Sequence, residues 1–214
     1  TDKAAAPVNL YGATKLAADK LFIAANSYTG AEGTKFAVVR YGNVMGSRGS
    51  VIPYLIKKRG SGTLPITNPE MTRFNITLDA GVRFVLEAFL RIRSGEIFVP
   101  KLPSYRLRDV ASAVGPDCKI QITGIRPGEK MHEEMITRSD ARNTLDLDDC
   151  YIMVPDKSLV WGTIQDYRHI TGGKSVSDGF SYGSENNPDF LSVMEIRELI
   201  ATKFNSGSVF EDWL

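Results

Sequence analysis

The sequence predicts an α/β chain: part of a doubly wound parallel sheet, followed after about residue 45 by a smaller α+β lobe. Three observations predict it. Residues 11–27 place Ala13, Leu16, Ala17 and Leu21 on one helical stripe among good helix formers, with Gly30 as a stop. The run Phe36-Ala37-Val38-Val39-Arg40-Tyr41 is nearly continuous in apolar residues and of strand length, as a strand buried on both faces requires. Glycines and polar residues at 42–50 come directly after it, where open α/β sheets bind ligands.

Bulk composition narrows the function classes. The chain has 214 residues, 43% hydrophobic and 24% charged, enough for one or two domains with a real core. A net charge of +1 argues against a general nucleic-acid or anionic-membrane surface. No apolar run approaches the ~20 residues that span a bilayer, and no signal peptide is expected. The two cysteines, Cys118 and Cys150, have neither metal-site nor disulfide-framework spacing, so reduced thiols and a cytoplasmic location are expected. With His132 and His169 as the only histidines, no metal is expected.

Taken in order, Thr1-Asp2-Lys3 offers a hydroxyl, a carboxylate and an amine, and Pro7 ends whatever element they close. A carboxylate beside an amine lets two groups share acid and base work; an exposed ion pair has the same composition. In the helix that follows, Tyr11 and Lys15 stack one turn apart. An ammonium there favours phenolate over phenol, and such a tyrosine exchanges a proton with a sugar or alcohol hydroxyl. The same spacing is common on solvated helix faces. After the strand, Gly42, Gly46 and Gly49 permit tight turning, Asn43 offers donor and acceptors, and Arg48 can fork onto a phosphate.

A short helix is expected over 51–58, ended by Gly60-Ser61-Gly62. Two prolines, Pro65 and Pro69, then predict an ordered loop that presents Arg73, with Glu70 as its possible carboxylate partner. Thr77 caps a helix to about Arg93 with Asp79 in its first turn; Val82, Val85, Leu86, Phe89 and Leu90 mark its core face. Residues 96–99 read as a strand ended by Pro100, 106–114 as a short helix and 119–122 as an alternating strand. Pro127-Gly128 makes a turn that sets Arg126 and Glu129 on either side, placed to grip a diphosphate and a ribose hydroxyl, or simply each other. His132 reads as a structural hydrogen-bonder. Residues 172–188 have loop composition. A last helix starts at a Ser192–Glu195 capping box with a Leu191–Ile196 staple.

Four stretches together carry a resemblance: Thr1-Asp2-Lys3-Ala4 with Asn9-x-Tyr11-Gly12-Ala13-Thr14-Lys15; Arg40-Tyr41-x-Asn43-Val44-x-Gly46; Pro69-x-Met71-Thr72-Arg73-Phe74; and Arg126-Pro127-Gly128-Glu129-Lys130-x-His132-Glu133. They resemble the extended short-chain dehydrogenase/reductases and, within them, the C5-inverting UDP-N-acetylglucosamine 4,6-dehydratases of bacterial surface-glycan pathways. The resemblance implies the C-terminal part of a Rossmann-like sheet plus a substrate-binding lobe. It divides the chain into 1–45 (end of the dinucleotide domain), 46–155 (substrate lobe) and 156–214 (extension).

It also implies roles. Tyr11, aided by Lys15, takes the C4 hydroxyl proton while hydride passes to NADP, with NAD possible, and Thr1 hydrogen-bonds the same oxygen. Lys3 removes the C5 proton and Asp2 protonates the departing C6 hydroxyl. Tyr11, Lys15, Arg40 and Tyr41 meet the cofactor; Asn43, Arg48, Arg73, Arg126 and Glu129 meet the UDP-sugar. A homo-oligomer is expected. Asn75 stands where the family shows an aromatic. Because no Gly-x-Gly-x-x-Gly turn is present, a further N-terminal segment or chain is expected to supply the dinucleotide-phosphate loop. A nucleotide-sugar 4-epimerase and a non-catalytic nucleotide-sugar binding fragment are the alternatives.

Overall fold

The computed structural model describes residues 1–30, 32–158 and 160–205; the end of the predicted extension, 206–214, lies outside them. In chain order the elements are α1 (Leu10–Thr29), β1 (Val38–Val39), β2 (Asn43–Val44), α2 (Val51–Lys58), β3 (Thr63–Ile66), β4 (Thr72–Ile76), α3 (Leu78–Arg91), β5 (Ile97–Pro100), β6 (Ser104–Arg106) and α4 (Leu107–Val114). Then come β7 (Lys119–Ile122), β8 (Glu134–Ile136), β9 (Thr144–Asp146), β10 (Cys150–Met153), β11 (Lys157–Ser158), β12 (Gly162–Thr163), α5 (Ile164–Thr171), β13 (Lys174–Ser175), β14 (Tyr182–Gly183) and α6 (Val193–Asn205).

The largest sheet runs β1-β5-β10-β9-β13. Its β1–β5 pair is parallel, as an α/β step demands, and the three pairs beyond are antiparallel. A second sheet, β2-β4-β6, a parallel β3–β7 pair and an antiparallel β8–β14 pair build the lobe around the cleft described below. Strand β5 is buried on both faces by its period-two alternation: Ile97 and Val99 enter one core cluster with Phe74 and Met135, and Phe98 enters another with Trp161 and Tyr167. A third cluster joins α2, α4 and α6 through Leu55, Val110 and Ile196.

The predicted helices form, but two bury faces other than those expected. On α1, Ala13 and Ala17 are exposed and Leu21 is 70% exposed. The inward stripe is Gly12, Leu16, Asp19, Ile23 and Asn26, buried or half-buried at helical spacing. Its polar members disguise it, and the fold satisfies both. Asp19 accepts from Arg40 Nη2 at 2.9 Å, and Asn26 bonds the Phe36 N–H and C=O at 2.9 and 3.0 Å, standing in for a strand neighbour.

On α3, Val82, Val85, Leu86, Phe89 and Leu90 are all exposed among the described residues; Gly81, Phe84 and Ala88 turn inward. Two small side chains beside one phenylalanine let the helix approach the sheet, and the bulky stripe points away. Thr77 caps α3 by accepting from Ala80 N–H at 3.2 Å.

Other expectations change as well. Strand β1 is two residues long and half-buried, not buried on both faces, because among the described residues only β5 pairs with it. Arg73 sits on strand β4, buried throughout, not on a presenting loop, and Glu70 pairs with Arg108 at 2.8 Å instead. Strand β7 is exposed along its whole length despite its alternation. Residues 172–188 are ordered by β13 and β14: the Tyr182 hydroxyl accepts from Leu102 N–H at 2.8 Å and donates to Leu102 C=O at 3.1 Å. Helix α6 starts at the predicted capping box, with Ser192 Oγ 2.7 Å from Glu195 Oε2. Among the described residues no helix is long and apolar enough to cross a membrane.

Candidate active site

A cleft of about 770 Å³ opens between the first residues of the chain, the loop after β2, strand β3 and the 124–130 loop. This volume suits a small-molecule ligand. Lys3, Asn43, Arg73, Arg126 and Glu129 line it, so five of the predicted site residues converge. Tyr105 and Glu133, which the sequence did not single out, line it too.

At the cleft the chain makes a 3-10 turn, Asp2–Ala4, capped by Thr1. Asp2 N–H donates to Tyr41 C=O at 3.1 Å, tying this turn to the strand end. Thr1 Oγ1 donates to Asp2 Oδ1 at 3.1 Å, and Lys3 Nζ lies 3.3 Å from the same oxygen. Lys3 Nζ also donates to Glu133 Oε1 at 2.9 Å. Burial opposes the lysine's charge, but the Asp2 and Glu133 carboxylates outweigh it and hold the ammonium above its ordinary range. Asp2 is 2% exposed, and its Oδ2 has no hydrogen-bond partner.

The 124–133 segment is stitched to this turn. Pro127-Gly128 forms the expected turn: Gly128 has φ 74°, and Glu129 N–H donates to Arg126 C=O at 3.1 Å. Asn9 Nδ2 donates to Gly128 C=O at 2.8 Å, and Lys130 Nζ donates to Ala5 C=O at 2.6 Å. Arg73 is largely occupied in holding this segment, donating to the carbonyls of Thr72, Lys130 and Met131. Its guanidinium also lies 3.7 Å from Glu129 and 3.8 Å from Glu133. His132 is a structural hydrogen-bonder, with Nδ1 2.8 Å from Thr72 Oγ1. Asn43 and Asn75 are register partners whose Oδ1 atoms are buried without hydrogen-bond partners.

The remaining predicted residues lie apart from the cleft lining. Tyr11 and Lys15 do share one face of α1, with the ammonium 5.3 Å from the ring centroid and the tyrosine 57% exposed. Arg40 is 3% exposed and committed to Asp19 and to Met135 C=O at 2.7 Å, which leaves it holding α1 against the sheet instead of facing a cofactor. Tyr41 is half-buried and packs in the core, and Arg48 is exposed.

Gly12 explains how α1 lies so close to the Asp2–Ala4 turn. A Cβ there would meet Lys3 O at 2.6 Å and Pro7 Cβ at 2.9 Å. Alanine gains about 1 kcal/mol of helix propensity, but overpacking costs about 1–3 kcal/mol. Gly12→Ala is therefore expected to lower the unfolding midpoint in a denaturant titration, against the propensity trend.

Sequence reasoning missed Glu133, Asn9, Lys130 and Ser184 as site residues. Glu133 stood within a quoted motif, and its second acidic neighbour, Glu134, was the available signal. Ser184 gave none: it is fully buried, bonds Thr72 Oγ1 at 2.7 Å and accepts from Glu133 N–H at 2.9 Å.

Known proteins match this chain over most of its length. It is 50% identical over 204 residues, 94% of its length, to a Campylobacter jejuni protein named UDP-N-acetylglucosamine 4,6-dehydratase (inverting). It is 39% identical over 208 residues to a Rickettsia canadensis protein named UDP-glucose 4-epimerase. The solved structure of Pen from Bacillus thuringiensis superposes with a TM-score of 0.79 at 32% identity, covering 94% of this chain and 60% of that one. The chain spans about three fifths of the length of these curated relatives, 61% for the first. A family model described as polysaccharide biosynthesis protein matches residues 1–155, and the chain belongs to that family.

Proposed function

We propose that this chain carries the acid/base and substrate-binding portion of a UDP-N-acetylglucosamine 4,6-dehydratase that inverts C5 and serves bacterial surface-glycan synthesis. The observation that carries the reading is the Lys3 ammonium held between Asp2 and Glu133 on the wall of the cleft. The half-identical dehydratase relative supports it.

Water loss needs one acid and one base, and one proton on the Asp2–Lys3 pair supplies both. Moving that proton from Lys3 Nζ to Asp2 leaves a neutral amine beside a carboxylic acid. After the C4 hydroxyl has become a ketone, the amine takes the C5 proton and Asp2 protonates the C6 hydroxyl as its bond to carbon breaks. The elimination leaves a C5–C6 double bond and returns ammonium and carboxylate. Addition of hydride at C6 and of a proton at C5 on the opposite face then gives the inverted 4-keto-6-deoxy product.

The residues present fit part of a nicotinamide cofactor: an exposed Tyr11 and a half-buried Lys15 stand together on α1, where a ribose hydroxyl would be held. When bound, the nicotinamide, NADP in this reading, supplies hydride acceptance and return. Arg126 and Glu129 grip the diphosphate and a ribose hydroxyl of the UDP-sugar, with Asn43 beside them. Assembly with further copies belongs to the same reading.

Proton NMR of UDP-N-acetylglucosamine incubated with the natural full-length protein tests the proposal. A 4-keto-6-deoxy sugar with a C6 methyl group is expected. The epimerase relative favours a second reading, 4-epimerisation, whose product keeps its C6 oxygen; an unchanged sugar leaves only a binding role. Asn9→Asp probes the stitched loop. Aspartate caps α1 as well as asparagine does, yet it loses the donor to Gly128, so KM for the UDP-sugar is expected to rise with kcat little changed.

A further inference from the structure

We propose that Glu133 is a positioning residue for the acid/base pair, fixing Lys3 Nζ against Asp2 so that the two exchange one proton in place. The consequence for rate rests on the dehydratase reading; the contact with Lys3 does not.

Glu133 is the closer of the two carboxylates, 2.9 Å from Lys3 Nζ against 3.3 Å for Asp2. It is 4% exposed yet lines the cleft, and its Oε2 has no hydrogen-bond partner, with Lys130 Nζ 3.8 Å away. A carboxylate left partly unsatisfied in the interior is costly and persists where something else requires it. Its backbone is fixed on both sides: Ser184 N–H donates to Glu133 C=O at 2.7 Å, and Glu133 N–H donates to Ser184 Oγ at 2.9 Å. That rigid frame delivers a fixed charge to a lysine that is otherwise one-third exposed and free to adopt many rotamers.

The charged groups around Lys3 are few. Asp2 flanks it in its own turn; Glu133, Arg73, Lys130 and Glu129 face it from the lobe, with the Tyr105 phenol, pushed up to about 12 by burial, as a neutral neighbour. Behind the turn, Asp19 on α1 is closed on Arg40. Removing the Glu133 charge therefore removes one of the two anions that hold the ammonium.

Competitive acetylation across pH, read by mass spectrometry of the Lys3 peptide, measures this in the natural full-length protein. In Glu133→Gln, Lys3 is expected to titrate about one pH unit or more below wild type. The alkaline limb of the kcat profile should move with it, and kcat should fall by up to ~100-fold while KM for the UDP-sugar stays within ~3-fold. Glu133→Asp, which keeps the charge and shortens the reach, should recover part of both. Lys3 titrating as in wild type in a folded Glu133→Gln overturns the proposal. Should Glu133→Gln fail to fold, Glu133→Asp decides: a lowered Lys3 titration at near-wild-type Tm supports the role, and an unchanged one overturns it. A wild-type protein that leaves the UDP-sugar intact would sink the dehydratase reading, and the acetylation arm would still decide on Glu133.

Discussion

Asp2→Asn in the natural full-length protein is expected to lower kcat for water loss by ~10²–10⁴-fold, the range of a positioned general acid. Asparagine nearly matches aspartate in shape, so the capped turn and the Thr1 contact survive the change. It cannot receive the Lys3 proton, and so cannot pass one to the departing C6 hydroxyl. Arg126 and Glu129, which line the cleft, grip the UDP moiety in this reading, and Asp2 acts on the C6 hydroxyl only as its bond breaks, so KM should change little. Steady-state kinetics with NMR detection of the product checks both halves. A variant that retained wild-type kcat would remove Asp2 from the chemistry and leave Lys3 and Glu133 without an acid.

The pairing of Asp2 with Lys3 was legible because the two are adjacent in sequence, and so was the 126–129 turn, fixed by Pro127 and Gly128. Caps were legible for the same reason: Thr77, Ser192 and Glu195 act within one turn of chain. What stayed hidden was long-range. The Lys3–Glu133 contact joins positions 130 residues apart, and Ser184 reaches Thr72 across 112. No local pattern encodes such pairs. Burial of polar groups was hidden too. Hydrophobic periodicity assigned α1 the wrong face because the true inner stripe contains Asp19 and Asn26, satisfied by Arg40 and by the Phe36 backbone. On α3 the periodicity was real but pointed outward, since pattern alone cannot say which of two apolar sides meets this part of the fold. Strands β3 and β4 were read as loop because Pro65 and Pro69 punctuate the stretch, yet β3 pairs in register with β7 and β4 with β6.

The second large effect concerns stability. Asp19→Ala is expected to cost about 3–5 kcal/mol, because it strands Arg40 rather than removing a matched pair. Arg40 is 3% exposed; without Asp19 its guanidinium keeps only the Met135 carbonyl, and its Nε already lacks a partner. For a chain of this size that corresponds to a Tm roughly 6–20 °C lower. The double variant Asp19→Leu with Arg40→Met removes both charges and replaces them with apolar volume, so it should regain most of the loss, since buried pairs seldom outperform well-packed hydrophobes. If the single variant melted within about 1 kcal/mol of wild type, the pair would not be what fastens α1 to the sheet. In the proposed mechanism the distinction bears on catalysis, because Asp19 lies one turn beyond Lys15 on the same helix. A strained or loosened anchor there would displace Tyr11 and Lys15 together, lowering kcat at temperatures where the rest of the chain is still folded. Far-UV circular dichroism and activity measured on the same temperature ramp would then separate: activity should fall first in Asp19→Ala, and the two should coincide again in the double variant.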